Sequence, residues 1–386
     1  MYKAYKFRMY PTSEQEILIN KTFGCTRFIY NYFLDKCKKL GHYIKAFDMC
    51  KEIKELVVTY PWLKEVDSCA LRCSVFNLED SYKNFFSKRS GYPMFKNKFS
   101  KQSYRTTSIK SEYKGKEYNN IEINLINKTI KLPKLGIVKI RGYRKTNKIN
   151  GNIINATIEK DTTGKYYASV IYEIKEETNK ETKATSIVGI DLGIKDIVTL
   201  SDGRKYKNNK EIKKYEDKIK YKQQVLSRKV KGSNNYKKTK KELAVLYSKL
   251  KNARKQNIIE ITNVIVSNFD VVVSEKLNVK GMLGNHKLAK NIGDASFNKI
   301  CERIKWKCKL LHKYYYQVDT YYPSSKICYR CGHKTNITKD LNMRKWECEN
   351  CHNENDRDIN ASLNIMYEGV LLHYKNLLQN NKLIFN

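Results

Sequence analysis

Proline is scarce in this chain of 386 residues, at 5, and so are tryptophan (3), histidine (6) and glycine (17). So few breakers leave room for long uninterrupted elements and exclude a collagen-like or Gly/Pro-rich disordered chain. Acidic residues are also the minority, with 39 Asp+Glu against 76 Lys+Arg and a formal net charge of +37. No apolar run approaches the roughly 18 residues a membrane span needs. The opening MYKAYKFRMY lacks an apolar signal core. Membrane and secretory readings are thereby excluded, and a cytoplasmic protein is expected.

Hydrophobic residues make up 41% of the chain, too many for a disordered polycation. The charge therefore lies on folded structure, where it repels itself unless a polyanion neutralises it. Nucleic acid is the expected partner. Part of the lysine excess, alongside abundant Asn, Ile and Tyr, also fits an AT-rich coding sequence. The length suits two or three domains. Of 11 cysteines, four form a paired motif and seven are single. Cys25, Cys69 and Cys301 fall in helix-like apolar patterns, as buried thiols in a reducing compartment do.

Tyr5, Phe7 and Met9 alternate with polar neighbours, the pattern of a half-buried strand, and Pro11 ends it. Thr12 and Gln15 form a capping box before a helix carrying Ile17, Leu18, Cys25, Phe28, Ile29, Tyr32 and Phe33. A second helix carries Leu71, Val75, Leu78, Tyr82 and Phe85 and stops at Gly91-Tyr92-Pro93. Short strands are expected at 121–125, 129–132, 137–140, 153–159 and 166–173, so the helices read as an insertion in a β domain. After a charged stretch, 187–191 and 196–200 read as a hairpin. Lys-rich helices at 210–230 and 236–268 suit an antiparallel pair. A strand at 271–274, a helix at 295–314, a strand at 316–322 and a last helix from about 358 complete the pattern, and Leu371, Leu372, Leu377 and Leu378 could extend that helix.

Cys328-x2-Cys331 and Cys348-x2-Cys351, sixteen residues apart, have the spacing of a four-cysteine zinc ribbon. Four thiolates close a tetrahedron and leave no position for water, so the ion's role is structural. His333 and His352 adjoin the pairs and are alternative ligands. Three acids also stand out. Asp191 and Glu275 end hydrophobic strands, and Asp358 opens the last helix, where exposed amides favour negative charge. Three carboxylates so placed can gather two divalent ions for phosphodiester hydrolysis. Finally, Lys96, Lys98, Lys101, Gln102, Tyr104 and Arg105 mix cations with an aromatic and an amide, suited to phosphate contact and base stacking. The Lys-rich helices are better read as solvated faces.

Several of these segments occur in a recognisable order: Asp191-Leu192-Gly193-Ile194-Lys195, then Glu275-Lys276-Leu277-Asn278, then Pro323-Ser324-Ser325-Lys326-Ile327-Cys328, the second cysteine pair, and Asp356-Arg357-Asp358-Ile359-Asn360-Ala361. Together with Lys3-Ala4-Tyr5-Lys6-Phe7-Arg8-Met9-Tyr10-Pro11, Phe95-Lys96-Asn97-Lys98 and Lys134-Leu135-Gly136, they closely resemble TnpB, the transposon-encoded RNA-guided DNA endonuclease family related to type V CRISPR effectors.

The resemblance implies an α/β plus α+β architecture: a ribonuclease-H-like RuvC nuclease domain with an inserted zinc ribbon, preceded by a β-barrel-like wedge domain that carries a helical recognition insertion. Its boundaries would be 1–10 and 91–176 for the wedge, 11–90 for recognition and 177–185 for a linker. The RuvC domain would span 186–323 and 352–370, the ribbon 324–351 and a tail 371–386. Asp191, Glu275 and Asp358 would bind two magnesium ions, Asp358 being preferred to Asp356 as the acid of the Asp-x-Asn motif. The expected partners are a guide RNA from the transposon end and double-stranded DNA beside a short adjacent motif, with a monomeric, nucleoid-associated protein. Arg72 and Cys73 replace a frequent Gln-Gln pair on a helix expected near that motif, so Arg72 is a candidate contact. His352, Asn355 and Ser362 also depart from the family pattern, without removing a carboxylate or thiolate. A guide-dependent repressor without cleavage and a protein-only DNA-binding transposon protein are the alternatives.

Overall fold

A computed structural model describes residues 1–113, 116–142, 149–174, 184–207, 210–278, 281, 296–336 and 343–379. The chain forms two compact units, 1–177 and 178–386. No helix among the described residues is long and apolar enough to cross a membrane.

In the first unit, strand β1 (Tyr2–Tyr10) buries Phe7 and Met9, as its alternation predicts. It lies inside a seven-stranded sheet with β2 (Gln102–Thr107), β5 (Glu122–Asn124), β6 (Thr129–Leu132), β7 (Gly136–Arg141), β8 (Asn152–Lys160) and β9 (Tyr166–Glu173). The order is β2-β8-β9-β1-β7-β6-β5, and β3 (Lys110–Tyr113) and β4 (Lys116–Asn119) form a separate hairpin. β2 and β5 are edges, with no pairing between them among the described residues. The sheet is therefore open, not the barrel-like closure the resemblance implies. β2 had no hydrophobic run to announce it: its inward residues are Tyr104 and Thr106.

Between β1 and β2 come α1 (Ser13–Leu40), α2 (Ala46–Thr59) and α3 (Ser68–Phe86). Thr12 and Gln15 cap α1 reciprocally, Gln15 Nε2 also donating to the Leu135 carbonyl at 3.1 Å. The helices enclose a core of their own that includes Ile29, Phe33, Met49, Leu63, Val75 and Leu78.

The second unit is built on β10 (Ile187–Asp191), β11 (Asp196–Leu200), β12 (Lys205–Lys207), β13 (Val271–Glu275) and β14 (Tyr314–Val318), in the order β12-β11-β10-β13-β14. β10 and β11 form the expected antiparallel hairpin, whereas β10 and β13, and β13 and β14, run parallel. β14 begins two residues earlier than its expected start because Tyr314, Tyr315 and Tyr316 pair with Val271, Val272 and Val273. It ends early where Asp319 accepts the Tyr321 N–H at 2.9 Å and turns the chain.

Helices α5 (Asn234–Asn268) and α6 (Phe297–Leu310) pack Ile261, Ile265, Phe297 and Ile300 against Val188, Ile190 and Val272 on one face. α4 (Lys210–Ser227) lies along α5 through Ile212, Ile219, Leu243 and Leu250, the expected helix pair. The opposite face takes α7 (Arg357–Gln379), with Ile365 against Val271 and Val273. α7 runs through 371–379, and 380–386 lie outside the described residues.

α7 approaches so closely that a Cβ at Gly189 would collide with the Ser362 carbonyl oxygen and with Met366, and one at Gly369 with the Val273 side chain. Overpacking of this kind costs about 1–3 kcal/mol. Gly189→Ala should lower the melting temperature of this unit by ~5 °C or more in calorimetry. Gly91→Ala, in the first unit and with nothing within 4 Å, should leave the melting of that unit unchanged.

Candidate metal centres and nucleic-acid surface

Period-two alternation decides where the acids go. Gly189 and Val273 are register partners and both face α7, so Asp191 and Glu275, two residues further along their strands, face α7 as well. Asp358 lies in the first turn of that helix. Three distant segments thus bring their carboxylates to one sheet edge. The Leu192 N–H donates to Glu275 Oε1 at 2.9 Å, tying the two strand ends together.

Burial pushes the Asp191 carboxyl well above the usual range, and the charges of Glu275 and Asp358 push it further. Burial also raises Glu275 to about 7, against the pull of the Leu192 N–H. Asp356 is differently engaged. Its Oδ1 accepts the N–H groups of Asp358 and Ile359, both at 3.1 Å, so it caps α7, and Lys205 Nζ donates to its two oxygens at 2.9 and 2.8 Å. Both lone-pair sets are therefore occupied. Arg344 Nη1 lies 3.1 and 3.2 Å from the two oxygens of Asp358.

The four sulfurs of Cys328, Cys331, Cys348 and Cys351 lie within 4.8 Å of one another, a donor set that fits tetrahedral zinc. Among the described residues, no other group of three or more His, Cys, Asp or Glu side chains is gathered this way. The two knuckles repeat one geometry. Gly332 N–H donates to the Cys328 carbonyl and His352 N–H to the Cys348 carbonyl, both at 2.9 Å. Both residues are left-handed, with φ of 75° and 53°. His352 therefore pays with roughly 1 kcal/mol of strain where glycine would pay none. Neither histidine joins the sulfurs: His352 Nδ1 is 2.9 Å from Glu347 Oε1, and His333 Nε2 is 3.7 Å from Glu349 Oε2. The His333 N–H lowers the Cys331 thiol to about 6.

β15 (Lys345–Glu347) and β16 (Glu354–Asp356) link this ribbon to α7. Two residues without an assigned role in the sequence reading complete the link. Asn360 Oδ1 accepts the Tyr329 N–H at 3.0 Å, and the side-chain amides of Asn360 and Asn364 donate to the Ile327 carbonyl at 2.8 and 2.6 Å. Both asparagines are buried. Their signal in the sequence is a polar pair at i, i+4 inside an apolar helix.

In the first unit, Lys96, Gln102, Tyr104 and Arg105 line one cavity of about 360 Å³ with Arg27 and Lys101. Lys98 and Arg72 are exposed outside it. Tyr104 does not offer the stacking face expected of it: it is 6% exposed and packs on Phe23, ring centres 5.8 Å apart. Lys96 Nζ sits 3.6 Å from the Tyr30 ring centre, and burial lowers its pKa. Gln102 Nε2 donates to the Ser100 carbonyl at 2.7 Å, and Arg72 Nη2 lies 3.2 Å from Cys69 Sγ.

Family models match three stretches of the chain: a probable transposase at 169–286, a Cas12f1-like TNB domain at 297–365 and a helix-turn-helix domain at 1–40. In this structure the last stretch is a strand followed by one continuous helix of 28 residues. A Cas12f1–sgRNA–target DNA complex contains a chain of similar fold, with a TM-score of 0.50 at 14% identity, covering 95% of this chain and 98% of that one. An Escherichia coli protein is 29% identical over 95% of this chain and 92% of its own length. A Streptomyces pristinaespiralis protein is 31% identical over 95% of this chain and 89% of its own length. Both carry the name "Putative RNA-guided DNA endonuclease". With a relative that similar over nearly its whole length, the chain belongs to the TnpB family.

Proposed function

We infer that this protein is an RNA-guided DNA endonuclease that hydrolyses phosphodiesters at a single RuvC-type site formed by Asp191, Glu275 and Asp358. The observation that carries this reading is the convergence of three acids, from the ends of β10 and β13 and the first turn of α7, at one sheet edge. The relatives' shared name supports it. Buried carboxylates with raised pKa values fit hard divalent cations, which bind through oxygen. Asp191, Glu275 and Asp358 would hold two magnesium ions, which would supply Lewis acidity for the hydrolysis. Asp191 and Glu275 hold position because hydrophobic strands anchor them and Leu192 clamps Glu275. Asp358 holds position because α7 is pinned at Gly189.

The sheet of the first unit would then be the wedge and its helices the recognition lobe. A guide RNA from the transposon end would pair with one strand of the target, leaving the protein to hold shape and backbone. Arg105, Lys98, Arg72, Gln102 and the partly shielded Lys96 are the proposed backbone contacts. The protein would act as a monomer in the cytoplasm, at the nucleoid. One zinc ion would be structural.

Asp191→Asn should reduce cleavage of a guide-matched plasmid at least ~10³-fold, while filter binding to target DNA stays within a few-fold of wild type. Equal cutting by the variant refutes the triad. The pH dependence has a definite sign. Between the ordinary glutamate value of about 4.5 and 7, the metal-free folded chain keeps a Glu275 proton that the unfolded chain has released. Its stability therefore falls as pH rises through that window. Magnesium should raise the melting temperature more at pH 8 than at pH 6, and Glu275→Gln should reduce that difference, the remainder belonging to Asp191, which burial also raises. Cys328→Ser should release the zinc, measured by metal analysis, and cost at least ~3 kcal/mol, or ~10 °C in calorimetry.

A further inference from the structure

The guanidinium of Arg344 occupies the coordination space of the third acid. Its Nη1 is within hydrogen-bond distance of both Asp358 oxygens, at 3.1 and 3.2 Å. Burial, Glu275 and Asp358 hold the Asp191 carboxyl well above the usual range; the charges of Arg357 and then Arg344 act against that, so Arg344 reaches this second acid as well. One cation thus acts on two of the three carboxylates. The Asp358 side chain is 17% exposed and that of Arg344 45%, so the pair is shielded on the acid's side and open on the arginine's.

The arginine is held in place by its backbone. The Arg357 N–H, at the start of α7, donates to the Arg344 carbonyl at 2.8 Å, and the next residue, Lys345, pairs with Asp356 across β15 and β16. The ribbon hairpin thereby fixes the Arg344 main chain beside the helix turn that bears Asp358, while its long side chain is free to swing outward. The neighbouring cation differs. Lys205 binds Asp356, the helix cap, and leaves Asp358 to Arg344.

We propose that Arg344 is a built-in competitor for the divalent cation, holding Asp358 until metal displaces it. This rests on the assignment of Asp191, Glu275 and Asp358 as the metal site. An arginine cannot give up its proton, so it leaves only by moving. Charge-assisted hydrogen bonds to a carboxylate are among the stronger ones in proteins, so an incoming cation must break them before it can use both Asp358 oxygens. The ribbon consequently sets the metal affinity of the acidic edge without supplying a ligand to it. In the free protein the site remains weakly loaded and its charge partly neutralised.

The test measures Mn²⁺ binding by loss of the free-ion paramagnetic resonance signal, using the zinc-loaded full chain freed of nucleic acid. Wild type, Arg344→Gln, Arg344→Lys and Asp191→Asn are compared at one pH and ionic strength, with calorimetric melting to verify folding. Arg344→Gln is expected to bind Mn²⁺ about tenfold more tightly than wild type. Arg344→Lys, which keeps the charge but shortens the reach, should fall between them. Asp191→Asn should lose binding. If Arg344→Gln binds no better than wild type while Asp191→Asn loses binding, the competitor role is overturned and the metal site stands. If Asp191→Asn binds as wild type does, the metal site itself is wrong and this role falls with it.

Discussion

Helix α7 meets the five-stranded sheet across Gly189 and Gly369, with the Ser362 backbone lying where a side chain on β10 would be. That approach governs the acidic edge. At 100° per residue, Asp358, Ser362, Met366 and Gly369 share one stripe of α7, so the contact that seats Ser362 on Gly189 also directs Asp358 toward Asp191. A bulkier residue at 189 would lift the helix and separate the third carboxylate from the other two. Gly189 lies two residues before Asp191 on the same strand and face, so the glycine that admits the helix and the acid that needs it are fixed in one register.

The charge distribution follows a related logic. A formal net charge of +37 draws polyanions, yet the acidic edge is where a phosphate must be tolerated beside carboxylates. The fold meets this in the metal-free state by raising the pKa of Asp191 and Glu275 through burial, so that these acids hold their protons to higher pH than free carboxylates. Lys205 and Arg344 neutralise Asp356 and Asp358. Each acid of this cluster is thus offset by a proton or a nearby cation. Divalent ions bound there would replace the protons, because they would gain from ionised oxygen ligands what burial withholds from a single charge.

Much of the fold could be read from the chain because its signals are local. The alternation of β1, the capping box of α1, the hairpin of β10 and β11 and the paired amphipathic stripes of α4 and α5 each depend on residues a few positions apart. The four thiols were legible for the same reason: two short knuckles at a permitted spacing. What could not be read depends on contacts distant in sequence. β2 is polar and becomes a strand only by pairing with β8. Tyr104 looked like a stacking platform in its basic neighbourhood, but that pairing turns its ring into the core beside Phe23. Openness of the first sheet depends on whether β2 meets β5, which no local pattern encodes. Local pattern alone does not tell Asp356 from Asp358, and only the family motif favours the second; in the structure the cap and Lys205, 151 residues away, engage Asp356.

The zinc cluster and the acidic edge share α7 without sharing a face of it. Asn360 lies 200° around the helix from Asp358, and Asn364 continues on the Asn360 side. The acid therefore faces the sheet while the two amides face the ribbon, where they bind the backbone at Ile327 and Tyr329 beside Cys328. Apolar residues could fill that space, but they would leave the half-buried Ile327 carbonyl and Tyr329 N–H without these partners, at up to about 1–3 kcal/mol each. Asparagine at both positions joins the first knuckle to the helix with its polar groups satisfied. The second knuckle is joined through β16 and the Arg344 carbonyl. With both knuckles fastened to one helix turn, closing the tetrahedron of thiolates would fix the direction of Asp358, so an ion bound outside the acidic cluster would still act on its geometry.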